Sequence, residues 1–518
     1  MRLPEHLHWK QRPVRRAPRT CIFFAKGWRP WKVRARAASL AFLFLAGCNV
    51  GPRYQPPTAP TVVAYTPERQ PAQTTASPGS AGAAQRFDAS SAIPAQWWTL
   101  FHSPELDSMM KTALANSPTL AQASARLREA QEELNARAGA TKYPSVVANA
   151  SIAGEQPNLS AYGIPFPNPS PFALLDGSIS VSYALDIFGA NRRAIEALHA
   201  GRDYASWQLE GARLMLAGNL VSAVIRQAQL GKQIEIMRQL LAVEQRELAI
   251  AKERRQVGGA SQTDVESRSS AAAETQAVIP SLDAQLDQVN HQIAVLMGEP
   301  PAEAHIPTVS LDALRLPVDL PLSLPSALVH QRPDIRAAES LLHQASANVG
   351  IATANLYPQI VLSASGGALG TSFVNGGDLW NIGSSLTQPI YNGGALRAEK
   401  RKAEAAYQEA ASVYKQTVLQ SFQQVADTLT AIDHDAETLK ARSDSSAAAD
   451  ASYRIALGRY SAGGMSKLAL FAAERQRLEA ALDRIGAVSA RFSDSATLFQ
   501  ALGGGWWSHA PATTAANP

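Results

Sequence analysis

Residues 178–187 of this 518-residue chain alternate between polar and apolar side chains. Apolar residues take the odd positions from Ile179 to Ile187, and serine, alanine or aspartate takes the even ones. A period of two predicts a β-strand over 177–187 with one apolar and one polar face. The other predicted strands are 145–154, 359–367 and 380–390.

Two stretches without proline, 190–255 and 394–459, follow the strand pairs. At about 1.5 Å per residue, a helix of that length would reach roughly 99 Å, which exceeds any globular core. A narrow apolar seam in the first stretch consists of Ile234, Met237, Leu241 and Leu248. The remaining faces are rich in Gln, Glu, Arg and Ser and are predicted to be solvated. Such a helix needs partner helices along its length.

The second half of the chain repeats landmarks of the first at a spacing of about 205 residues. "RRQVGGAS" from Arg254 returns as "RYSAGGMS" from Arg459, and "LDIFGANRRAIEA" from Leu185 returns as "QPIYNGGALRAEKRKAEA" from Gln388. Two further landmarks recur in the same order. The sequence therefore predicts two homologous halves, each with a helix, two strands, a very long helix, a turn and a returning helix.

The net charge of +5 comes from the N-terminal leader. Residues 1–47 hold eleven Lys or Arg and one acid, Glu5, which leaves 37 basic and 42 acidic residues, a net charge of −5. A nucleic-acid partner is excluded on this balance. The apolar run "SLAFLFLAG" at 39–47 is too short to span a membrane and is typical of a signal peptide. A buried helix fragment is the alternative, and a true start near Val33 is expected.

Cys48 follows the apolar run directly and is the only cysteine after the leader, because Cys21 lies within it. This excludes an intrachain disulfide and a thiol-rich metal site. "LAGC" has the form of a bacterial lipobox, which predicts cleavage before Cys48 and acylation with an S-diacylglycerol and an N-acyl chain of palmitoyl type. Asn49 permits sorting to the outer membrane.

Composition and repeats predict six segments. They are a signal peptide (1–47), a lipidated N-terminal tether (48–96), the first repeat (97–299, with strands in 145–187 and long helices in 190–298), a linker (300–331), the second repeat (332–506, with strands in 359–390 and long helices in 394–501) and a C-terminal tail (507–518).

Four amphipathic strands cannot close a membrane barrel, because an open edge in lipid leaves backbone groups unpaired. Membrane barrels begin at about eight strands, so at least two chains are needed, and three would give twelve. The alternative is a small soluble sheet covered by helices. Serine along the polar face favours a water-filled lumen.

Six motifs in order give the chain a resemblance to TolC-like outer-membrane factors, specifically NodT-type lipoproteins of RND efflux systems. The motifs are "CNVGPRYQPP", "WWTLFHSPELD", "YALDIFGANRRA", "RPDIRAAE", "TQPIYNGGALRA" and "ALGGGW". The resemblance covers nearly all of residues 45–506.

The resemblance implies a mainly α fold with an internal duplication: a homotrimer with a twelve-stranded barrel in the outer membrane of a Gram-negative bacterium and a long helical barrel in the periplasm. It also implies a passive conduit that exports drugs or other small toxic compounds, with a periplasmic adaptor protein and an inner-membrane RND pump as partners. Two alternatives remain: a duct for a protein-secretion exporter, and a non-conducting lipoprotein spacer.

The helix reversals at 256–261 and 461–466 correspond to the periplasmic tip of that family. The candidate tip and adaptor contacts are Gly258, Gly259, Ser261, Tyr460, Gly463, Gly464 and Ser466. Family members close the tip with a leucine, an aspartate and an arginine; the matching positions are Leu468, Ala472 and Arg475. The aspartate is missing, and Asp264 is a candidate for a nearby charge. The alternative is that these residues only cap the helices or belong to the tip helices, without a role in adaptor docking or gating.

Catalytic motifs are lacking in the sequence: we find no nucleophile elbow, phosphate-binding glycine loop, HExxH or paired CxxC. "DHD" at 433–435 resembles a metal ligand set, but a solvated charge run on a helix is the favoured interpretation. The sequence predicts no enzyme, no metal and no cofactor other than the lipid on Cys48. It leaves the cargo undetermined.

Overall fold

The computed structural model describes residues 50–67, 71–88, 91–163, 165–372 and 376–509. Cys48, the predicted signal peptide and residues 510–518 of the predicted tail lie outside the described residues. None of the described helices combines the length and the apolar character that a membrane span requires.

Both halves of the chain have the predicted order of elements. The first half contains β1 (Arg86–Asp88), α1 (Pro104–Asn116), α2 (Pro118–Lys142), β2 (Ser145–Glu155), β3 (Phe172–Leu185), α3 (Ala190–Gln256) and α4 (Gln262–Met297). The second contains β4 (Asp319–Pro321), α5 (Pro325–Gln331), α6 (Pro333–Ala354), β5 (Gln359–Gly370), β6 (Gly376–Thr387), α7 (Ala395–Ser461) and α8 (Lys467–Ala501). Short 3-10 helices are Trp97–Phe101, Leu159–Tyr162 and Trp506–His509.

The four long strands form one antiparallel sheet in the order β2-β3-β5-β6. The pairing of β3 with β5 joins the two repeats, so the sheet belongs to the whole chain. β3 begins at Phe172, five residues before the expected start, and β6 ends at Thr387, three before the expected end. The strands at the two edges are β2 and β6.

Helix α3 packs against α1, α2, α4, α6 and α8, while α7 packs against α6 and α8. These five neighbours make the buried surface of α3 wider than the predicted seam. Ile234 is buried as expected, whereas Met237, Leu241 and Leu248 are only half-buried. Fully buried positions between them are Ile236, Leu240, Val243, Glu244 and Glu247. The prediction that all other faces are solvated is therefore wrong for this part of α3.

The N-terminal segment is packed on the helices and is not a free tether. Arg491 of α8 is buried and donates hydrogen bonds to the Ala81 carbonyl (3.1 Å), the Thr74 hydroxyl (3.1 Å) and the Gln85 side chain (2.7 Å). β1 pairs with β4 in parallel. Polar atoms of this N-terminal segment thus accept hydrogen bonds from both terminal nitrogens of a buried guanidinium, which composition does not reveal.

Aromatic side chains from both ends of the chain share one core. Trp97 stacks on Phe499 with ring centroids 5.4 Å apart, and Phe101 lies 6.2 Å from Phe492. All four rings are buried. The segment before α1 and the end of α8 are thereby held to the middle of the helical region.

Candidate functional site

One face of the sheet is lined by small polar side chains. Cross-strand partners lie on the same face, and Ser145, Ser182 and Ser363 are partners across three neighbouring strands. The hydroxyls of Ser145 and Ser182 are 2.7 Å apart. Ser180 and Ser365 form the next level. Apolar side chains also occur on this face, at Val147, Phe172, Leu174, Val361, Leu369 and Leu379.

The opposite face is apolar and uncovered. Ile179, Trp380 and Ile382 lie on it, and their exposed fractions are 55%, 78% and 76%. Every residue of β2 and β6 is exposed, so no described helix covers these strands. The alternative of a soluble sheet buried under helices is wrong for this chain.

The charges on the four strands are all negative. The carboxylates are Glu155, Asp176 and Asp378, and no strand contains Lys, Arg or His. Asp176 pairs with Ser151 and lies on the polar face. The polar face therefore presents hydroxyls and the carboxylates of Glu155 and Asp176, whereas Asp378 lies on the apolar face.

The first helix reversal is closed by two glycines and a capping box. Gly258 has a φ of 78°, which favours glycine, and its amide donates to the Arg255 carbonyl at 3.0 Å. The Ser261 hydroxyl accepts from the Asp264 amide (3.0 Å), and the Asp264 carboxylate accepts from the Ser261 amide (3.0 Å). Hydrogen bonds from the Ser261 amide and hydroxyl hold the pKa of Asp264 below its usual value. Asp264 thus caps α4, and its proposed role in closing the tip has no geometric support.

The second reversal repeats the first with one difference. Gly463 has a φ of 77°, and the Gly464 amide donates to the Arg459 carbonyl at 2.8 Å. The Ser466 hydroxyl accepts from the Ala469 amide at 3.2 Å. Ala469 has no carboxylate to return the bond, so α8 starts with a single cap.

The structure brings the two reversals to the same end of the helices. Arg246 of α3 reaches Glu474 of α8 at 3.3 Å and lies 4.7 Å from the centre of the Phe471 ring. Tyr460, at the end of α7, has an exposed fraction of 38%. The other predicted tip residues are also exposed: Gly258, Gly259, Ser261, Gly463, Gly464 and Ser466.

The candidate gate residues lie on the first three turns of α8. Leu468 is half-buried and Ala472 is exposed. The Arg475 guanidinium is 2.6 Å from the Glu479 carboxylate one turn further along the same helix. Arg475 is therefore paired within its own helix in a single chain.

Two buried carboxylates near the tip were missed by sequence reasoning. Glu247 of α3 accepts from Arg268 of α4 at 2.7 Å. Burial raises the pKa of Glu244 above its usual value. It outweighs the hydrogen bond from Thr275 and the charge of Arg475, which both lower this pKa. Glu244 and Glu247 follow Leu240 and Val243 at helical spacing, and this signal could have placed them on a buried face.

The "DHD" segment lies within α7. Within the described ranges, no group of three or more His, Cys, Asp or Glu side chains could hold a metal ion. Asp435 contacts Asp494 of α8 instead of solvent alone, and His434 lies 3.8 Å from Glu437. The prediction of a solvated charge run is correct for His434, which is exposed, but not for Asp435, which contacts Asp494.

Residues 109–299 and 324–504 match the sequence pattern of outer membrane efflux proteins. The chain belongs to the outer membrane efflux protein family. Its relatives include the pyoverdine export outer membrane protein OpmQ of Pseudomonas aeruginosa, which is 31% identical over 82% of this chain and 90% of that protein. The probable outer membrane lipoprotein SilC of Salmonella typhimurium is 27% identical over 92% of this chain and 99% of that protein.

A solved structure supports the same membership. The outer-membrane channel OprN is 27% identical, covers 89% of this chain and 100% of its own, and superposes with a TM-score of 0.76. Membership in this family and the shared architecture make the chain an outer-membrane channel component of an efflux system. The resemblance stated from sequence motifs is thereby confirmed. The relatives are channel and efflux proteins.

Proposed function

We propose that three copies of this chain form a passive duct that carries small compounds from an inner-membrane RND pump and its periplasmic adaptor to the exterior. The observation that carries this proposal is the sheet with two fully exposed edge strands, one apolar face and one hydroxyl-rich face. The name of OpmQ, which refers to pyoverdine export, supports a small-molecule cargo.

Assembly follows from the unpaired edges. β2 leaves the helical region, and β6 returns to it, so β6 of one copy and β2 of the next are antiparallel. Their lengths of 11 and 12 residues match. Closing the ring removes every open edge, which would otherwise cost several kcal/mol per unpaired group in lipid.

The tip is proposed as the closed end, with Leu468 and Arg475 as gate residues and the two reversals as adaptor contacts. We expect Leu468→Ser to raise the conductance of purified protein in planar bilayers, because it replaces an apolar constriction by a hydroxyl. Ala469→Ser, an exposed neighbour on the same turn, is the control and should leave conductance unchanged. If Leu468→Ser protein passes no ions, the conduit proposal fails and a spacer is favoured.

Lipidation of Cys48 is proposed from the lipobox, and the description of SilC as a lipoprotein supports it. We expect Cys48→Ala to abolish labelling with radioactive palmitate and to slow maturation, while part of the protein still assembles through its strands. Unchanged mass and gel mobility of the variant would contradict lipidation.

Cargo is tested by deleting the gene and measuring susceptibility to drugs, dyes, metals and solvents. Lower inhibitory concentrations for several small compounds are expected. Unchanged susceptibility together with loss of a secreted protein would favour the protein-secretion exporter.

A further inference from the structure

Residues 50–54 are fixed to the junction where β3 ends and α3 begins. The Val50 amide donates to the Phe188 carbonyl at 3.3 Å. The Pro52 carbonyl accepts from the Arg193 guanidinium at 2.8 Å. The Tyr54 ring stacks on His343 of α6, with centroids 4.2 Å apart and planes inclined by 13°. Three kinds of contact within five residues thus tie this segment to both repeats.

Arg193 is the centre of these contacts. Its side chain is only 3% exposed, and it donates to the Glu196 carboxylate at 2.7 Å. The other oxygen of Glu196 lies 3.0 Å from the His343 ring nitrogen. Burial raises the pKa of Glu196, but the hydrogen bonds from Arg193 and His343 outweigh it and hold the pKa below its usual value. The ionised carboxylate therefore orients both partners of the segment.

Two glycines allow the segment to approach this closely. Gly51 has a φ of +95°, and a Cβ there would lie 2.7 Å from the Cα of Gly350. A Cβ on Gly350 would lie 2.9 Å from the Arg193 side chain. Neither position has room for a methyl group.

Tyr54 extends the contact into a separate apolar cluster. It packs against buried residues of α5, α6 and α7, which include Val329, Leu342 and Val418. The segment is therefore held by a charge-assisted hydrogen bond, a ring stack and apolar burial together, and these act at independent points.

We propose that Arg193, Glu196 and His343 form a receptor for the mature N-terminus, which we call the N-terminal clasp. This inference rests on the proposed lipidation of Cys48. Val50, two residues after Cys48 in the sequence, is held just after the end of β3, so the acylated residue is linked to this fixed point by a short stretch of chain. The clasp holds residues 50–54 at the junction of β3 and α3, and Arg193 is its positioning residue.

Arg53 allows the clasp to be tested by proteolysis, because it is exposed between Pro52 and Tyr54, which both contact the clasp. Trypsin cleaves after arginine only when several residues on each side can leave the surface. In full-length protein purified in detergent, we expect Arg193→Met to speed cleavage after Arg53 by about tenfold, the loss expected for a charge-assisted hydrogen bond. Arg213→Met is the matched control: Arg213 pairs with Glu210 at 2.7 Å on the same helix and does not contact the segment.

A second variant changes only the segment. Gly51→Val cannot adopt the required backbone and should speed cleavage after Arg53 while leaving the apparent Tm unchanged. Arg193→Lys keeps the positive charge but cannot donate to Pro52 and Glu196 in the fork geometry of a guanidinium. This variant should be cleaved at an intermediate rate. Rapid cleavage of the unaltered protein, or equal rates in all variants, would overturn the clasp.

The released peptide separates this inference from the proposed lipidation. Cleavage after Arg53 liberates Cys48–Arg53, whose mass reports the acyl chains. An acylated peptide released equally fast from every variant refutes the clasp alone. An unacylated peptide with slow release from the unaltered protein refutes lipidation and, with it, the assigned purpose of the clasp.

Discussion

Arg491 shows how a single buried charge organises the middle of the molecule. None of the described carboxylates forms an ion pair with its guanidinium, which instead donates hydrogen bonds to three neutral oxygens of the N-terminal segment. Burial lowers the pKa of Arg491 to about 10, against the charge of Asp435, so it remains protonated at neutral pH. Asp435 and Asp494 lie close together nearby and cannot easily ionise together.

The Asp435–Asp494 pair predicts a pH dependence of stability. Burial, then the hydrogen bond and charge of Asp435, raise the pKa of Asp494 from 3.8 to about 7. The native state keeps a proton that the unfolded state releases, so stability falls as pH rises from about 4 to about 7. We expect Asp494→Asn to remove this fall and to gain about 1–2 kcal/mol at pH 8, after allowance for solvent screening.

Thermal unfolding followed by circular dichroism at pH 5, 6, 7 and 8 measures this effect. Asp483→Asn is the control, since Asp483 is an exposed carboxylate of the same helix that pairs with Arg442. Parallel pH profiles for the unaltered protein and Asp494→Asn would show that Asp494 titrates normally.

At the scale of elements, the two helix reversals differ in how the returning helix starts. α4 has a reciprocal capping box, whereas α8 has one serine cap followed by Ala469. The first turn of α4 therefore has an additional satisfied amide. The tip end of the first repeat is expected to open less readily than that of the second.

Cap removal tests this difference. Ser261→Ala and Ser466→Ala should each destabilise the first turn of their helix by about 0.5–2 kcal/mol, with the larger effect at Ser261. Ala469→Asp should add the missing bond and slow exchange in α8. Hydrogen–deuterium exchange of the first-turn amides is the measurement, and an equal loss at both helices would argue against the capping box.

The limits of the long helices could be predicted because proline is absent within α3 and α7 and glycines follow both. Periodicity also assigned the faces of β3. It could not reveal that β3 pairs with β5, because alternation identifies a face and not a partner strand. The docking of residues 50–54 and 71–88 was likewise hidden, since it depends on single polar contacts such as Arg193 with Pro52.

At the scale of the whole molecule, the sheet of a single chain is incomplete as a membrane element. The apolar face needs lipid, the hydroxyl face needs water, and both edge strands need partners. Ile390 and Tyr391, at the turn from β6 to α7, are almost fully exposed in the single chain.

Neighbouring residues of β6 test this arrangement. Ile382 lies on the apolar face and Asn381 on the hydroxyl face. Ile382→Lys should reduce assembled, heat-modifiable protein in the outer membrane, because lysine facing mid-membrane lipid costs about 2–4 kcal/mol. Asn381→Lys introduces the same side chain toward water and should assemble normally. Normal assembly of both variants would mean that the faces are assigned wrongly.

The capping difference has a consequence for symmetry. The proposed trimer of duplicated chains would carry six helix reversals around its axis. Only three-fold rotation would relate them, because the capping boxes of the first repeat would alternate with the single caps of the second. A partner protein that binds one reversal would find six similar binding sites of two alternating kinds. Three copies of such a partner can occupy one kind throughout, and six copies must tolerate both.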